Sequence, residues 1–168
     1  SAPYELVDSV GLVFQHPDEQ ITSTRCDAEV AFALESLGMD PAVMRRRVGD
    51  SLALLGLTGF ESRNPATLSG GEKKRLLLAC LEAIDPRVWI LDEAFEELDP
   101  SWRRSVLERL RVRRRTALVL DSRWSPLFAR AADRFGVLSR GSAAPLALQA
   151  GAPDFLAAMA DAGLLPPE

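Results

Sequence analysis

The chain has 168 residues, 47% of them hydrophobic and 26% charged, with a formal net charge of −4. That size and composition suit one domain with a real core, or one domain with a small appended part, and the acidic balance excludes a global attraction to nucleic acid. No apolar run approaches the ~18 residues a membrane-spanning helix needs, so any membrane role is expected to come through a partner.

Residues 10–14, Val-Gly-Leu-Val-Phe, read as a buried strand that runs into the polar turn Gln15, His16, Pro17 and Asp18. Cys26 and Cys80 lack metal-ligand spacing and are expected as reduced, buried thiols. Residues 27–37 have helical periodicity, with Val30, Leu34 and Leu37 on one side, and Gly38 ends the helix. Asp40 followed by Pro41 is an N-cap with proline at the first helical position, opening a second helix to about Leu55. Gly56 and Gly59 break it. A third helix is predicted over 69–84, where Ser69 and Glu72 have the S-x-x-E spacing of a capping box and Asp85-Pro86 gives the stop. Residues 88–91 form a continuous apolar run, as in a strand covered on both faces. Trp102, Val106 and Leu110 make a stripe on a fourth helix. Strands are expected over 116–120 and 135–138, and a further helix over 153–162 in a tail rich in Ala, Pro and Gly. The alternation of strand and helix after residue 68 argues for a parallel α/β sheet, with the mainly helical stretch before it lying outside that sheet.

Two places carry chemistry. Gly70 and Gly71 open a helix behind Ser69, and each should cost that helix about 1 kcal/mol relative to alanine. A helix start offers free N–H groups and a partial positive charge, which suit a phosphate, and glycine lets a ligand press against the backbone. The plain alternative is a capped helix that merely tolerates glycine. Asp92 and Glu93 end an apolar strand, placing two carboxylates at the carboxyl edge of a sheet, where α/β proteins bind ligands. The first could hold Mg²⁺ through water, and the second could orient or deprotonate an attacking water. The alternative is a strand that ends in solvated acids. The basic run 111–115, with Arg103, Arg104 and Arg109, lacks interleaved aromatics and reads as a solvated helix end, so no nucleic-acid partner is expected.

Read together, Leu68-Ser69-Gly70-Gly71-Glu72 and residues 88–93 resemble the signature and Walker B motifs of ABC-transporter ATPases. Leu98-Asp99-Pro100 is similar to that family's D-loop, and residues 10–20 look like its Q-loop, nearest to the energy-coupling-factor branch that drives cobalt, nickel and vitamin uptake. The resemblance covers residues 6–141, with four motifs in order. It implies an α/β fold: a partial P-loop NTPase (RecA-like) parallel sheet with an attached α-helical subdomain, its N-terminal β-rich part missing. The divisions it suggests are 1–15 (strand into the Q-loop), 16–67 (helical subdomain), 68–141 (signature helix and Walker B half of the core) and 142–168 (tail). It implies ATP and Mg²⁺ as cofactors, with Asp92 and Gln15 toward the metal. Gln15, Ser69, Gly70, Gly71, Glu72 and Asp99 would serve the nucleotide, and Glu93 the water. A second ATPase subunit and membrane-embedded subunits are the implied partners, and the inner face of the cell membrane the implied place, on its cytoplasmic side.

Three departures temper this. The family has Pro-Thr after Asp-Glu, where this chain has Ala94-Phe95, and Glu96-Glu97 replace small residues. The family's switch histidine falls at Arg123, or in a shifted register at Ser122 or Trp124. His16, in the Q-loop, is the only histidine and reads as a loop residue. No Gly-Lys pair occurs, so the P-loop motif is absent. The expectation is a fragment that begins partway through the ATPase domain and is inactive alone. An inactive partner module that donates the signature motif, and a soluble ABC protein of repair or translation, are the competing expectations.

Overall fold

The computed structural model describes residues 9–113, 116–123, 125–139 and 142–146. The helix expected over 153–162, together with Trp124, Arg114 and Arg115, lies outside them. Three strands form one parallel sheet in the order β1 (Val10–Val13), β2 (Val88–Asp92), β3 (Thr116–Leu120). The large indole of Trp89 stands in register between Gly11 and Ala117, so one bulky ring is flanked by two small residues. Gly11 has a packing reason: a Cβ there would lie 2.4 Å from Leu81 Cδ2 and 2.7 Å from Pro86 Cγ. The third helix and its stop thus press directly on β1.

Three helices pack on one another beside the sheet: α1 (Cys26–Ser36), α2 (Pro41–Leu54) and α3 (Gly70–Ile84). Their shared core holds Val30, Leu34, Leu52, Leu76 and Leu78, all at most 1% exposed, and runs on into Val13 and Leu91 of the sheet. Asp40 caps α2 through the amides of Ala42 and Val43, with Pro41 at its start. Ser69 and Glu72 close the full capping box on α3, which satisfies two donors that a helix start leaves orphaned. Asp85 ends α3 in the left-handed conformation at φ 60°. Helix α4 (Pro100–Val112) buries Val106 and Leu110 and half-buries Trp102.

The structure departs from the sequence expectation in several places. Residues 135–138 do form a strand, but β4 (Phe135–Ser139) does not join the parallel sheet. It pairs antiparallel with β5 (Ser142–Leu146), a strand the composition of the tail concealed. Two strands only two residues apart close a hairpin at little entropic cost, and that local pairing is the one formed. A short helix not among the expected elements, α5 (Pro126–Ala131), is capped by Ser125 with proline at its start. Strand β2 extends to Asp92, and its burial alternates: Trp89 and Leu91 are buried, while Val88, Ile90 and Asp92 are only partly so. Leu37 is exposed, because α1 ends at Ser36 and its cap residue leaves the core face. Cys26 is buried and both cysteines are free; burial raises both thiols above the usual range, so neither is a nucleophile at neutral pH.

Candidate functional site

The parallel strands point their carboxyl ends one way, and the chemistry-bearing residues gather at that edge. Asp92 is the last residue of β2, and Glu93 follows at φ 49°. This left-handed conformation is unusual for a residue with a Cβ and is held by two contacts with the end of β3. The Glu93 amide donates to Leu120 O at 2.9 Å, and its Oε1 accepts from the Ser122 amide at 3.1 Å. Glu93 is therefore aimed at the turn where the switch residue is expected.

Arg123 does lie at that turn, but its guanidinium is engaged by Glu96 at 2.9 Å rather than by Glu93. Two of the departures from the family pattern thus meet as an ion pair. The loop between Asp92 and α4 is pinned from behind: Arg103 donates through Nε to Leu98 O and through Nη2 to Glu96 O. Ala94 and Phe95 are buried, and the Phe95 ring meets Phe128 of α5 edge-on at 5.8 Å. Packing thus explains the Ala-Phe pair.

Neighbouring Asp121 accepts from the Arg123 amide. Burial raises its carboxyl above the usual range, with the nearby Glu93 charge adding to the rise and the Arg123 amide opposing it. A carboxyl whose folded pKa is raised is penalised when ionised, so the penalty sets in as pH rises through the ordinary carboxylate range. Asp121→Asn keeps the acceptor and removes the charge. It is expected to be more stable than the parent at pH 7, with the advantage vanishing below the ordinary carboxylate range. Urea midpoints across that range test this, and a less stable variant at pH 7 contradicts it.

At Gly70 and Gly71 something does press against the backbone, and it is the chain itself. A Cβ on Gly70 would fall on the Glu97 carboxylate, and one on Gly71 would lie 2.7 Å from Glu97 O. The Ser69 hydroxyl donates to Glu72 Oε2 and accepts from the Glu72 amide, and the same Oε2 accepts from the Ser69 amide. These bonds hold the Glu72 carboxyl below its usual range. Asp99 caps α4 through the amides of Ser101 and Trp102; the Ser101 hydroxyl is the first cause of its lowered pKa. Gln15 is exposed beyond the end of β1, and its carbonyl accepts from Lys74.

The structure thus brings Asp92 and Glu93 beside the turn that carries Arg123, with Glu93 bonded to the Ser122 amide and Arg123 paired with Glu96. It ties the start of α3 to that edge through Glu97, one of the departures from the family pattern, and Gln15 to α3 through Lys74, to which the sequence assigned no role. Lys74 is 1% exposed, within electrostatic reach of Glu97, Glu96, Asp92 and Glu93, while burial lowers its pKa. The signal for it was present: Lys73 and Lys74 are the only lysines in the chain. No cluster of three metal-ligating side chains occurs among the described residues. A lone strand-end carboxylate still fits Mg²⁺, which is bound with one or two carboxylates, phosphates and water rather than by an all-protein cage.

The chain resembles known proteins over the same stretch. The family described as ABC transporter matches residues 4–96. The energy-coupling factor transporter ATP-binding protein EcfA of Syntrophomonas wolfei is 40% identical over 134 residues, 79% of this chain and 49% of that protein. EcfA1 of Thermotoga maritima is 43% identical over 108 residues, 64% of this chain and 42% of that protein. Among solved structures, cbiO1 from Clostridium perfringens, part of the ABC transporter complex cbiONQ, superposes with a TM-score of 0.70 at 28% identity, covering 94% of this chain and 62% of that one. The chain spans about half the length of the curated relatives it matches. With more than half of its residues inside the family match and its fold shared with a solved member, the chain belongs to the ABC transporter family.

Proposed function

We propose that this chain is part of the ATP-binding subunit of an energy-coupling-factor or cobalt-type ABC transporter, which couples ATP hydrolysis to import of a metal ion or vitamin. The observation that carries the reading is the convergence at one sheet edge of Asp92 and Glu93, the 121–123 turn and, through Glu97 and Lys74, the glycine-opened start of α3. In this reading Asp92 and Gln15 hold Mg²⁺, whose charge offsets that of the phosphates. Glu93 orients the attacking water with its carboxylate fixed by the Ser122 amide. Ser69, Gly70, Gly71 and Glu72 face the γ-phosphate of a nucleotide held by a second ATPase subunit, and Asp99 belongs to the same contact.

An inactive module that only donates the signature helix is the second reading, favoured by the Arg123–Glu96 pair. Calorimetry and phosphate release separate the two. The 168-residue chain alone is expected to show neither sub-millimolar Mg-ATP binding nor turnover, since P-loop amides and lysine supply most of the contact to the β- and γ-phosphates. Mixed with a complete, P-loop-bearing ATPase subunit, it should associate in a Mg-ATP-dependent way. Association without any contribution of Glu93 to turnover favours the module; no association at all removes both readings.

The helical stretch 16–67 is assigned to docking on membrane-embedded subunits, which would place the protein at the cytoplasmic face of the membrane. No helix among the described residues is long and apolar enough to cross it. Phe32, Val43 and Leu37 are the exposed large apolar side chains in this stretch, the first two at 62% and 50%. Phe32→Asp and Val43→Asp in the full-length subunit should abolish uptake in vesicles while leaving ATP hydrolysis within about twofold, since exposed substitutions scarcely affect stability. Intact uptake in both variants would refute the docking assignment.

A further inference from the structure

Both lysines of this chain stand side by side in α3, and both reach into the loop that follows β1. Lys74 Nζ donates to Phe14 O at 2.9 Å and to Gln15 O at 2.5 Å. Lys73 Nζ pairs with Asp18 Oδ1 at 2.6 Å, with the Lys73 side chain only 14% exposed. Burying an ammonium costs several kcal/mol unless it is well paired, and a core position on a helix has no use for one. A leucine would pack there. Two main-chain carbonyls beyond the end of a strand, however, have no ladder partner and need a donor. A lysine supplies a compact, rotatable charge that converges on both, where the planar guanidinium of arginine demands a fork. That lysine occurs only here, in a chain whose other basic residues are all arginine, fits this geometric demand.

We infer that Lys73 and Lys74 are positioning residues that clamp the loop from Phe14 to Asp18 onto α3, so that Gln15 and the Ser69-Gly70-Gly71 helix start move as one rigid unit. The clamp rests on the proposed ATPase role only for its purpose; the coupling is a property of the free chain and is measured there without nucleotide.

Amide hydrogen exchange on the 168-residue chain tests it. The reporters are the Phe14, Glu19, Gln20 and Ile21 amides, which bond within the loop, and the Lys73 amide in the first turn of α3. The parent should open loop and helix start together. Lys74→Met, which leaves two carbonyls unpaired, should speed loop exchange at least tenfold. Lys73→Ala and Asp18→Ala should each speed it about threefold, the size of a part-exposed ion pair. In all three the Lys73-position amide should stay within about twofold of the parent, and the charge swap Lys73→Asp with Asp18→Lys should restore loop protection. If Lys74→Met fails to fold, the Lys73 and Asp18 variants and their swap decide the matter alone. Unchanged loop exchange in those variants, or equal acceleration of loop and helix in step with the urea midpoint, overturns the clamp. Failure of the chain to associate with a nucleotide-loaded subunit would count against the functional reading and leave the clamp standing.

Discussion

Phe95→Ala is expected to destabilise the chain by about 3–5 kcal/mol, the usual cost of deleting a buried aromatic ring. Phe95 is 1% exposed, and its edge-on partner Phe128 brings α5 against the loop. Domains of this size have a total stability of roughly 5–15 kcal/mol, so the variant should lose a large part of it. Because Phe95 lies two residues past Glu93, the loss should also be local: Glu93 and the Ser122 amide should part before the helices melt. Chemical denaturation gives the first quantity and exchange at the Ser122 amide the second. A midpoint unchanged from the parent would show that the ring is not a core element and that the Ala94-Phe95 departure has another cause.

In an assembled transporter whose two ATPase subunits differ, Glu93→Gln is expected to remove little of the turnover, and the equivalent substitution in the partner most of it. In the proposed reading, the site built on Asp92 and Glu93 has Arg123, or in a shifted register Ser122 or Trp124, at the position of the family's histidine. An arginine stays charged and cannot pass on a proton near neutral pH. Here its guanidinium is already committed to Glu96, and misplacing the reacting water by ~1 Å can cost about 10²-fold in rate. In the same reading the opposite site would take from this chain only the start of α3, whose capping box is complete. Paired variants measured by phosphate release decide between the sites. Loss of all turnover in Glu93→Gln alone would make Arg123 a benign replacement.

Local signals carried most of the fold. Caps at Asp40 and Ser69, glycine and proline stops, and apolar runs each depend on a few neighbouring residues, and the corresponding elements stand where the sequence placed them. What the sequence could not convey was set by contacts between distant segments. The burial of Lys74 depends on a loop 59 residues away. Motif spacing singled out Ser69, Gly70, Gly71, Asp92 and Glu93 as candidates. It could not show that Glu97 lies over Gly70, a contact between the loop before α4 and α3, or that Arg123 pairs with Glu96, a contact between that loop and the turn after β3.

The positive φ of Glu93 has a consequence for how this sequence can change. A residue with a Cβ held in the left-handed region costs of order 1–3 kcal/mol, and glycine would relieve most of it. Selection for stability alone would therefore erode this position toward glycine, whereas selection for chemistry would keep the carboxylate. Glu93→Gly should fold at least as well as the parent while losing its bond to Ser122. Position 93 is thus a trade-off site, where random libraries screened for heat tolerance and libraries screened for work should drift apart.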